Sequence, residues 1–404
     1  MNESINPIFP VFDGTPILCF ASAGWDTDTP VNVHHLMKRL SQNHPVLWVD
    51  SQPLRLPSFT SSDLGKIVRR LKTASSGIRG LQENIWGITP KTLPIYRSAF
   101  IQKWNDQRLK KTILNAGKSL KMNSPILWVF LPTAVKMVGN LGERLIVYHC
   151  VDDYSANPGV NPRVISEMEQ EMLKKAEVVF ATSQPLQRSL QKFHSNVIWI
   201  PAGVDETFFQ KQNYPEPKDL AGIHHPRIGF TGAISGYKVD IPLLIEASER
   251  YPDVSFVLIG PVGAGDPYTD VSYLKKQSNV FFLGPRKHEQ LPEYLYHMDA
   301  LMLPSAQTPS IRASFPVKIY EYLATGKPVI ARKQETLMSF WSVIYLASSN
   351  TDFLDGIGQV LKDQDSCCAK ARVKLAMQNT WTDRIQQIST VIEQALIRKQ
   401  KSQR

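Results

Sequence analysis

Little in this chain of 404 residues indicates disulfides or a metal site. It has four cysteines, no CxxC pair and no cysteine–histidine cluster at zinc-ligand spacing; the cysteines are Cys19, Cys150, Cys367 and Cys368. A disulfide framework and a structural zinc site are therefore excluded, and no metal is predicted. This cysteine usage fits a reducing compartment best, so we expect a cytoplasmic protein.

Long apolar runs are also missing. No segment approaches the roughly 20 apolar residues that span a bilayer, and the N-terminal MNESINPIFPVFDG lacks the basic region of a secretory signal. Hydrophobic residues nevertheless make up 43% of the chain and charged residues 20%, which excludes a disordered polymer. The length predicts two domains in a soluble protein.

Positive charge is concentrated in one region. The chain carries a formal charge of +10, and the segment from Arg55 to Lys121 alone has 14 Lys/Arg against 3 Asp/Glu. Its stretch DLGKIVRRLK has an apolar face bordered by basic residues, a pattern that can lie on anionic lipid. Two interpretations stay open: peripheral contact of 55–121 with the inner face of the membrane, or a helix packed on its own sheet with a solvated basic face. Nucleic-acid binding is disfavoured because no known module appears.

Short β-branched runs alternate with helix-length amphipathic stretches, and this pattern occurs twice. It predicts an α/β protein with two Rossmann-like, doubly wound parallel sheets. We place an N-terminal, acceptor-binding domain at 1–205, a proline-rich linker at 206–225, a C-terminal, donor-binding domain at 226–380, and a final helix with a basic tail at 381–404. Ligands are expected beyond the carboxyl ends of the strands.

The segment RASFPVKIYEYLATGKPVIA, residues 312–331, is the most informative. A helix from Val317 to Ala324 would put Lys318 and Glu321 on one face and end near Gly326. Lysine suits phosphate oxygens and a carboxylate suits two ribose hydroxyls, so the segment has the groups that hold a nucleoside diphosphate. From spacing alone, a surface ion pair is an equal alternative.

The segment from 318 to 331 resembles the nucleotide-sugar signature of bacterial GT-B glycosyltransferases, the group 1, family 4-like enzymes that build polysaccharides and teichuronic acid. The motifs GFTGAIS, FVLIGPVG and NVFFLGPRKHEQL resemble that group's C-terminal domain, and WVDS, VYHCVDDYS and IPAGVD resemble its N-terminal domain. The resemblance implies GT-B architecture, two domains facing a cleft. It also implies a nucleotide-sugar donor used as substrate, no cofactor, and chemistry without a divalent ion.

The resemblance also implies roles for residues around the signature. Glu321 takes the place of the second glutamate of an E-x7-E motif, which binds the donor ribose, whereas Ala313 replaces the first glutamate. Arg312 and Lys318 are the cations expected to neutralise the leaving diphosphate.

Three further donor-site residues follow from the same resemblance. Gly232 lies at the turn where backbone amides are expected to approach the diphosphate, and Lys238 takes the place of a phosphate-contacting lysine, although Ala233 replaces its partner arginine. Arg286 and Lys287 are expected near the base, largely through backbone contacts.

In the N-terminal half, two strand ends carry candidates. Gly24 and Trp25 of ILCFASAGWD form a candidate acceptor or phosphate loop, with a plain tight turn as the alternative. Asp152 and Asp153 are candidate catalytic carboxylates that could accept a hydroxyl proton, with a helix N-cap or turn as the alternative. His149 fits a packed core histidine better than a catalyst.

Together these patterns predict a metal-independent glycosyltransferase that moves a sugar from a nucleotide sugar to a glycan or lipid-linked acceptor in cell-surface polysaccharide biosynthesis. A non-hydrolysing sugar-nucleotide epimerase is one alternative. A catalytically inactive binding protein of the same fold is another, and Ala313 and Ala233 favour it. A Rossmann oxidoreductase is disfavoured because no G-x-G-x-x-G follows an early strand.

Overall fold

The computed structural model describes Phe12 and residues 14–27, 30–50, 77–90, 99–209, 213–266, 268–363 and 365–402. These residues fall into two compact units. Unit 1 draws on 1–27, 31–200 and 384–404, and unit 2 on 28–30 and 201–383. The basic stretch DLGKIVRRLK and Arg404 of the predicted tail lie outside the described residues.

Unit 1 is built on an eight-stranded sheet with the order β3-β4-β2-β1-β5-β6-β7-β8. The strands are Ile17–Phe20 (β1), Val46–Val49 (β2), Arg79–Gln82 (β3), Ile85–Ile88 (β4), Ile126–Val129 (β5), Leu145–Cys150 (β6), Val178–Ala181 (β7) and Val197–Trp199 (β8). All pairs are parallel except β3 with β4. The strand order reverses at β1 and β5, so the loop after β1 lies at a switch point of the sheet.

Four α-helices are described between β1 and β8 of unit 1, two of which begin at side-chain caps. They are Asn32–Leu40 (α1), Ala99–Ser119 (α2), Pro162–Lys175 (α3) and Gln184–Gln191 (α4). Asn161 caps α3 and Ser183 caps α4, each followed by a proline in the first turn. The apolar face of α1 packs into a core that contains the buried rings of Trp48 and Trp128.

Unit 2 is built on a six-stranded, wholly parallel sheet with the order β11-β10-β9-β12-β13-β14. Its strands are Arg227–Thr231 (β9), Ser255–Ile259 (β10), Val280–Gly284 (β11), Ala300–Leu303 (β12), Val329–Arg332 (β13) and Tyr345–Ala347 (β14). Here the order reverses between β9 and β12, and the loops after these strands mark the second switch point.

Seven helices complete the described chain from β9 onward. They are Ile241–Arg250 (α5), Leu291–Tyr296 (α6), Pro309–Ala313 (α7), Lys318–Ala324 (α8), Asn350–Val360 (α9), Ser366–Met377 (α10) and Trp381–Ser402 (α11). The predicted helix at 317–324 corresponds to α8, and Gly326 follows it with a φ of 72°.

Two segments belong to units to which composition alone would not assign them. Residues 206–225, predicted as a linker from their prolines, contribute Phe208, Leu220 and Ile223 to the core of unit 2. Residues 384–402 of α11 belong to unit 1, where Ile388 and Ile392 are fully buried in the sheet core. In both cases buried apolar side chains fix the assignment.

Candidate functional site

Two glycines end adjacent parallel strands at the switch point of unit 2. Gly232 follows β9 with a φ of 127°, and Gly260 follows β10 with a φ of 147°. The N–H of Gly232 donates to the carbonyl of Ile259 at 2.8 Å, and a Cβ on Gly260 would overlap the carbonyl of Gly232. The close backbone approach requires glycine at 260, and the positive φ favours glycine at 232. The Gly232 amide is already used within the sheet, so this glycine itself contributes space at the site.

Lys318 fills the space beside Gly232. A Cβ on Gly232 would overlap the Lys318 ammonium, which lies 4.6 Å from the centroid of the Phe230 ring. Burial and, to a smaller extent, the charge of Lys238 lower the pKa of Lys318 to about 8, with the charge of Glu321 opposing both. Within the described ranges, no hydrogen bond or ion pair with an acid neutralises this ammonium. The site therefore holds a cation that an anionic ligand would stabilise.

Glu321 lies one turn further along α8 and is buried. Its Oε1 accepts a hydrogen bond from Nε2 of His288 at 2.8 Å, and both residues are less than a tenth exposed. Burial by itself lowers the pKa of His288, but the bond to Glu321 and neighbouring carboxylates raise it above the usual value on balance. His288 was not predicted from the sequence, because a histidine in the polar stretch PRKHEQL gives no signal of a partner 33 residues away.

Tyr322 fastens α8 to the end of β9. Its hydroxyl accepts hydrogen bonds from the Thr231 N–H at 2.8 Å and from the Thr231 hydroxyl at 3.3 Å. Burial raises the pKa of Tyr322 well above the usual value, so the phenol stays neutral. This contact fixes the distance between the strand end and the helix that carries Lys318 and Glu321.

The other predicted donor-site residues differ in how they are placed. Lys238 lies close enough to Lys318 to influence its pKa, and its ammonium is 5.2 Å from the Tyr237 ring centroid. Arg312 is exposed on α7, and no described contact joins its side chain to the rest of the site. The guanidinium of Arg286 is held by Asp219 and by the Tyr294 hydroxyl, the latter at 2.7 Å. The structure thus brings Gly232, Lys238, Lys318 and Glu321 together.

In unit 1, the two adjacent aspartates follow β6 and are engaged by local backbone. Oδ1 of Asp153 accepts hydrogen bonds from the N–H of Ser155 at 3.1 Å and from its hydroxyl at 2.6 Å. It caps the short 3-10 helix Tyr154–Ala156, as the N-cap interpretation predicts. Oδ1 of Asp152 accepts from the N–H of Asp153 at 2.9 Å. A catalytic role for either carboxylate stays a prediction.

A carboxyl group that the sequence did not indicate lies beside them. Glu169 of α3 accepts a hydrogen bond from the Tyr148 hydroxyl at 2.6 Å. Burial raises the pKa of Glu169, and the charge of Asp153 adds to the effect. His149, on the same strand, is a core residue: burial lowers its pKa to about 3, and its ring lies 5.0 Å from that of Phe130.

The loop after β1 is organised by packing. The Gly24 carbonyl accepts a hydrogen bond from Nε2 of His34 at 3.0 Å, and a Cβ on Gly24 would meet nothing within 4 Å. The Trp25 ring meets that of Trp48 edge-on at 5.1 Å, with the Lys38 ammonium 5.7 Å from its centroid. Glycine is not sterically required here, so a binding role for Gly24 and Trp25 stays a prediction.

A polar network that sequence reasoning missed lies at the same edge of the sheet. Asp50, just after β2, accepts hydrogen bonds from the Trp48 indole at 3.0 Å and the Thr89 hydroxyl at 2.6 Å. The Arg79 guanidinium lies 3.6 Å from Asp50 and 3.6 Å from Asp26. The single Arg79 guanidinium therefore offsets part of the charge of the two carboxylates.

Among the described residues, no group of three or more His, Cys, Asp or Glu side chains is placed to hold a metal ion. Of the helices in the described ranges, none combines the length and apolar character needed to cross a membrane.

Comparison with known proteins agrees with this geometry. Residues 225–363, which include the glycine pair, Lys318 and Glu321, match the family model described as "Glycosyl transferases group 1". This region is similar to group 1 glycosyltransferase domains. The resemblance read from the sequence is therefore confirmed for the domain that carries the candidate site.

One curated relative extends the comparison of the group 1 domain. The putative teichuronic acid biosynthesis glycosyltransferase TuaH of Bacillus subtilis is 28% identical over 219 residues. The match covers 50% of this chain and 54% of TuaH, so the chain spans about half the length of this relative.

Solved structures match over nearly the whole chain. Anabaena HepE, solved in complex with UDP, is 17% identical and covers 94% of this chain and 100% of its own, with a TM-score of 0.66. Sucrose-phosphate synthase from Thermosynechococcus elongatus is 15% identical and covers 94% and 98%, with a TM-score of 0.69. At these identities the likeness shows the fold, and the predicted GT-B class with two parallel-sheet domains is confirmed.

Proposed function

We propose that the protein is a glycosyltransferase that moves a sugar from a nucleotide sugar to a hydroxyl acceptor in cell-surface polysaccharide biosynthesis. The observation that carries this proposal is the uncompensated Lys318 ammonium against the side-chain-free surface of Gly232, at the switch point of a group 1 domain. A diphosphate supplies the anion that this cation lacks. The UDP bound to HepE and the name of TuaH favour a UDP-sugar and a polysaccharide acceptor.

Transfer would proceed by breaking the bond between the anomeric carbon and the diphosphate oxygen while the acceptor oxygen bonds to the same carbon. The negative charge that develops on the diphosphate is stabilised by Lys318 and Lys238, with Arg312 as a third cation, in a partly desolvated site. The cations take the role that a divalent ion has in other transferases, so we propose chemistry without a metal. The acceptor proton would pass to a carboxylate of unit 1, with Asp152 as the first candidate.

The acceptor is proposed to be a glycan or a lipid-linked glycan, with peripheral contact between region 55–121 and an anionic membrane. In the described part of that region, α2 carries Trp104, 39% exposed, with the Arg108 guanidinium 5.0 Å from its ring centroid. An exposed aromatic ring bordered by basic side chains suits an anionic lipid surface.

Thermal unfolding with UDP, ADP, GDP and their sugar conjugates tests the proposal. A ligand that binds only the native state raises the melting temperature. We expect one nucleotide family to stabilise the wild type, and Lys318→Met and Glu321→Ala to weaken its binding by about 10- to 100-fold, as for loss of a hydrogen bond to a charged group. Lys318→Met is also expected to raise the melting temperature without ligand, because it removes a desolvated charge beside Lys238.

Lys327→Met is the matched control. Burial also lowers the pKa of Lys327, but its charge interacts with Asp299, which precedes β12 at the opposite edge of the sheet. This variant should keep the full response to nucleotide. The absence of stabilisation by every nucleotide in the wild type would exclude the transferase and leave an inactive binding protein of this fold.

A further inference from the structure

His288 and Glu321 form a buried pair that the proposed chemistry leaves unexplained. Their side chains are 9% and 10% exposed and are joined by the 2.8 Å bond between Nε2 and Oε1. His288 begins a 3-10 helix, His288–Gln290, shortly after β11, whereas Glu321 belongs to α8. The Phe208 ring packs against the imidazole at a centroid distance of 5.4 Å. Two separate elements are therefore joined through one carboxylate oxygen.

The surroundings of the pair favour a defined charge state. The carboxylates of Glu321, Asp205 and Glu289 all raise the pKa of His288, and the charge of Glu321 also interacts with that of Lys318. A carboxylate buried to this extent is stable only with paired and hydrogen-bonded neighbours. His288 occupies one direction at Oε1, so the orientation of the carboxylate plane is fixed before any ligand arrives.

We propose that His288 is a positioning residue that holds the Glu321 carboxylate in the orientation needed to accept hydrogen bonds from the two ribose hydroxyls of the nucleotide. The inference rests on the proposed function, because it takes Glu321 as the ribose acceptor. An acceptor that is already oriented loses little freedom on binding, so affinity rises without a direct contact between His288 and the ligand.

A purely structural role for His288 predicts a different result. If His288 only packed α8 against its neighbours, its removal would weaken every nucleotide equally. If it acts through Glu321, its effect depends on ribose hydroxyls in the ligand. The test is therefore a cycle between the side chain and the ligand hydroxyls, analogous to a double-mutant cycle.

UDP and 2′,3′-dideoxy-UDP are each titrated into the full chain of the wild type and of His288→Ala by isothermal calorimetry. These titrations give the four affinities of the cycle. His288→Ala is expected to weaken UDP binding about tenfold and to leave dideoxy-UDP within about twofold of the wild type. His288→Gln, whose amide can donate to Glu321, is expected to recover part of the loss for UDP. His297→Ala is the matched control, since His297 lies in the same unit and its Nε2 donates to the Tyr214 carbonyl at 2.9 Å.

Three outcomes would overturn the assignment. Equal weakening of both ligands by His288→Ala and His288→Gln would mean a packing role, and unchanged UDP affinity in His288→Ala would mean no role. A wild type that binds neither these ligands nor the ADP and GDP compounds of the thermal panel would remove the ribose site itself, and with it the proposed function. This last result is distinguished from the other two because it appears before any substitution is made.

Discussion

The carboxyl edges of the two sheets differ in how their charges are balanced. In unit 1, Asp50 is matched by Thr89 and Arg79, and Asp153 by the Ser155 cap. In unit 2, the Lys318 ammonium lies beside Lys238, and among the described residues Glu321 is the acid whose charge opposes the lowering of its pKa. The unit 2 edge is therefore electrostatically prepared for an anion, whereas Asp50 and Asp153 of the unit 1 edge are already bonded by local donors.

This difference assigns separate tasks to the two edges. A preorganised cation stabilises charge that develops during reaction without having to reorient. Holding such a cation partly desolvated lowers the stability of the ligand-free fold, a common property of functional sites. The unit 1 edge, whose carboxylates are already bonded, has no such loss of stability and suits a neutral hydroxyl acceptor.

The largest expected effect comes from filling the space at Gly232. Gly232→Ala would push the Lys318 ammonium out of its position and place a side chain at a φ of 127°. We expect at least about tenfold weaker UDP binding and a loss of about 1–3 kcal/mol in the free energy of unfolding. Calorimetric titration and chemical denaturation measure the two effects.

Gly222→Ala is the control, because a Cβ at that position meets nothing within 4 Å. If Gly232→Ala binds UDP as tightly as Gly222→Ala does, the unit 2 edge does not hold the diphosphate against Lys318, and the contrast between the edges loses its functional meaning.

We expect the stability of the two units to change at opposite ends of the pH range. The pKa of His149 is about 3 in the fold, below its usual 6.5, so the unfolded chain binds more protons and stability falls as pH drops from 6.5 towards 3. The pKa of Lys318 is about 8, below its usual 10.5, so the stability of the ligand-free protein rises as pH increases from 8 to about 10.5. The larger pKa change belongs to His149, which predicts the larger response on the acid side.

Unfolding monitored across pH with His149→Phe and Lys318→Met separates these contributions. In a plot of stability against pH, His149→Phe should flatten the acid side (the acid limb) alone. Lys318→Met should flatten the alkaline side alone. Nucleotide affinity should decline above pH 8 in the wild type, as Lys318 loses its proton. An acid limb that is unchanged in His149→Phe would show that other groups govern the response of unit 1.

The smallest effect is expected at Asp153. Asparagine caps a helix about as well as aspartate, so Asp153→Asn should change the free energy of unfolding by less than about 0.5 kcal/mol, whereas Asp153→Ala should lose about 1 kcal/mol. Sugar transfer should persist in Asp153→Asn and fall in Asp152→Asn. Loss of transfer in a stable Asp153→Asn variant would show that the carboxylate of Asp153 is catalytic, and that the unit 1 edge does more than support the fold.

The sequence predicts the parallel strands well because each is a short, continuous apolar run. It misses β3, whose residues Arg79–Gln82 alternate between half-buried and exposed and include Gly80. An antiparallel edge strand of this kind depends on its partner, here β4, more than on its own propensity. The start of the helix Pro162–Lys175, in contrast, is marked locally by the Asn161 cap and by Pro162.

At the site, local spacing predicts what lies on one helix and fails for what lies on several. Lys318 and Glu321 were found because i, i+3 spacing is a property of α8 alone. His288 reaches Glu321 only through the packing of the 3-10 helix after β11 against α8, which no local pattern reports. The approach of a diphosphate to the turn at Gly232 stays a prediction, and the N–H of Gly232 itself donates to the Ile259 carbonyl.

The place of α11 has a consequence for how the chain is made. Residues 384–402 contribute to the core of unit 1, yet they follow unit 2 in the chain and are synthesised after it. The eight-stranded sheet of unit 1 therefore stays partly uncovered until unit 2 has been synthesised. Unit 2, whose sequence is nearly continuous, can fold as it emerges, so maturation is expected to run opposite to the order of synthesis.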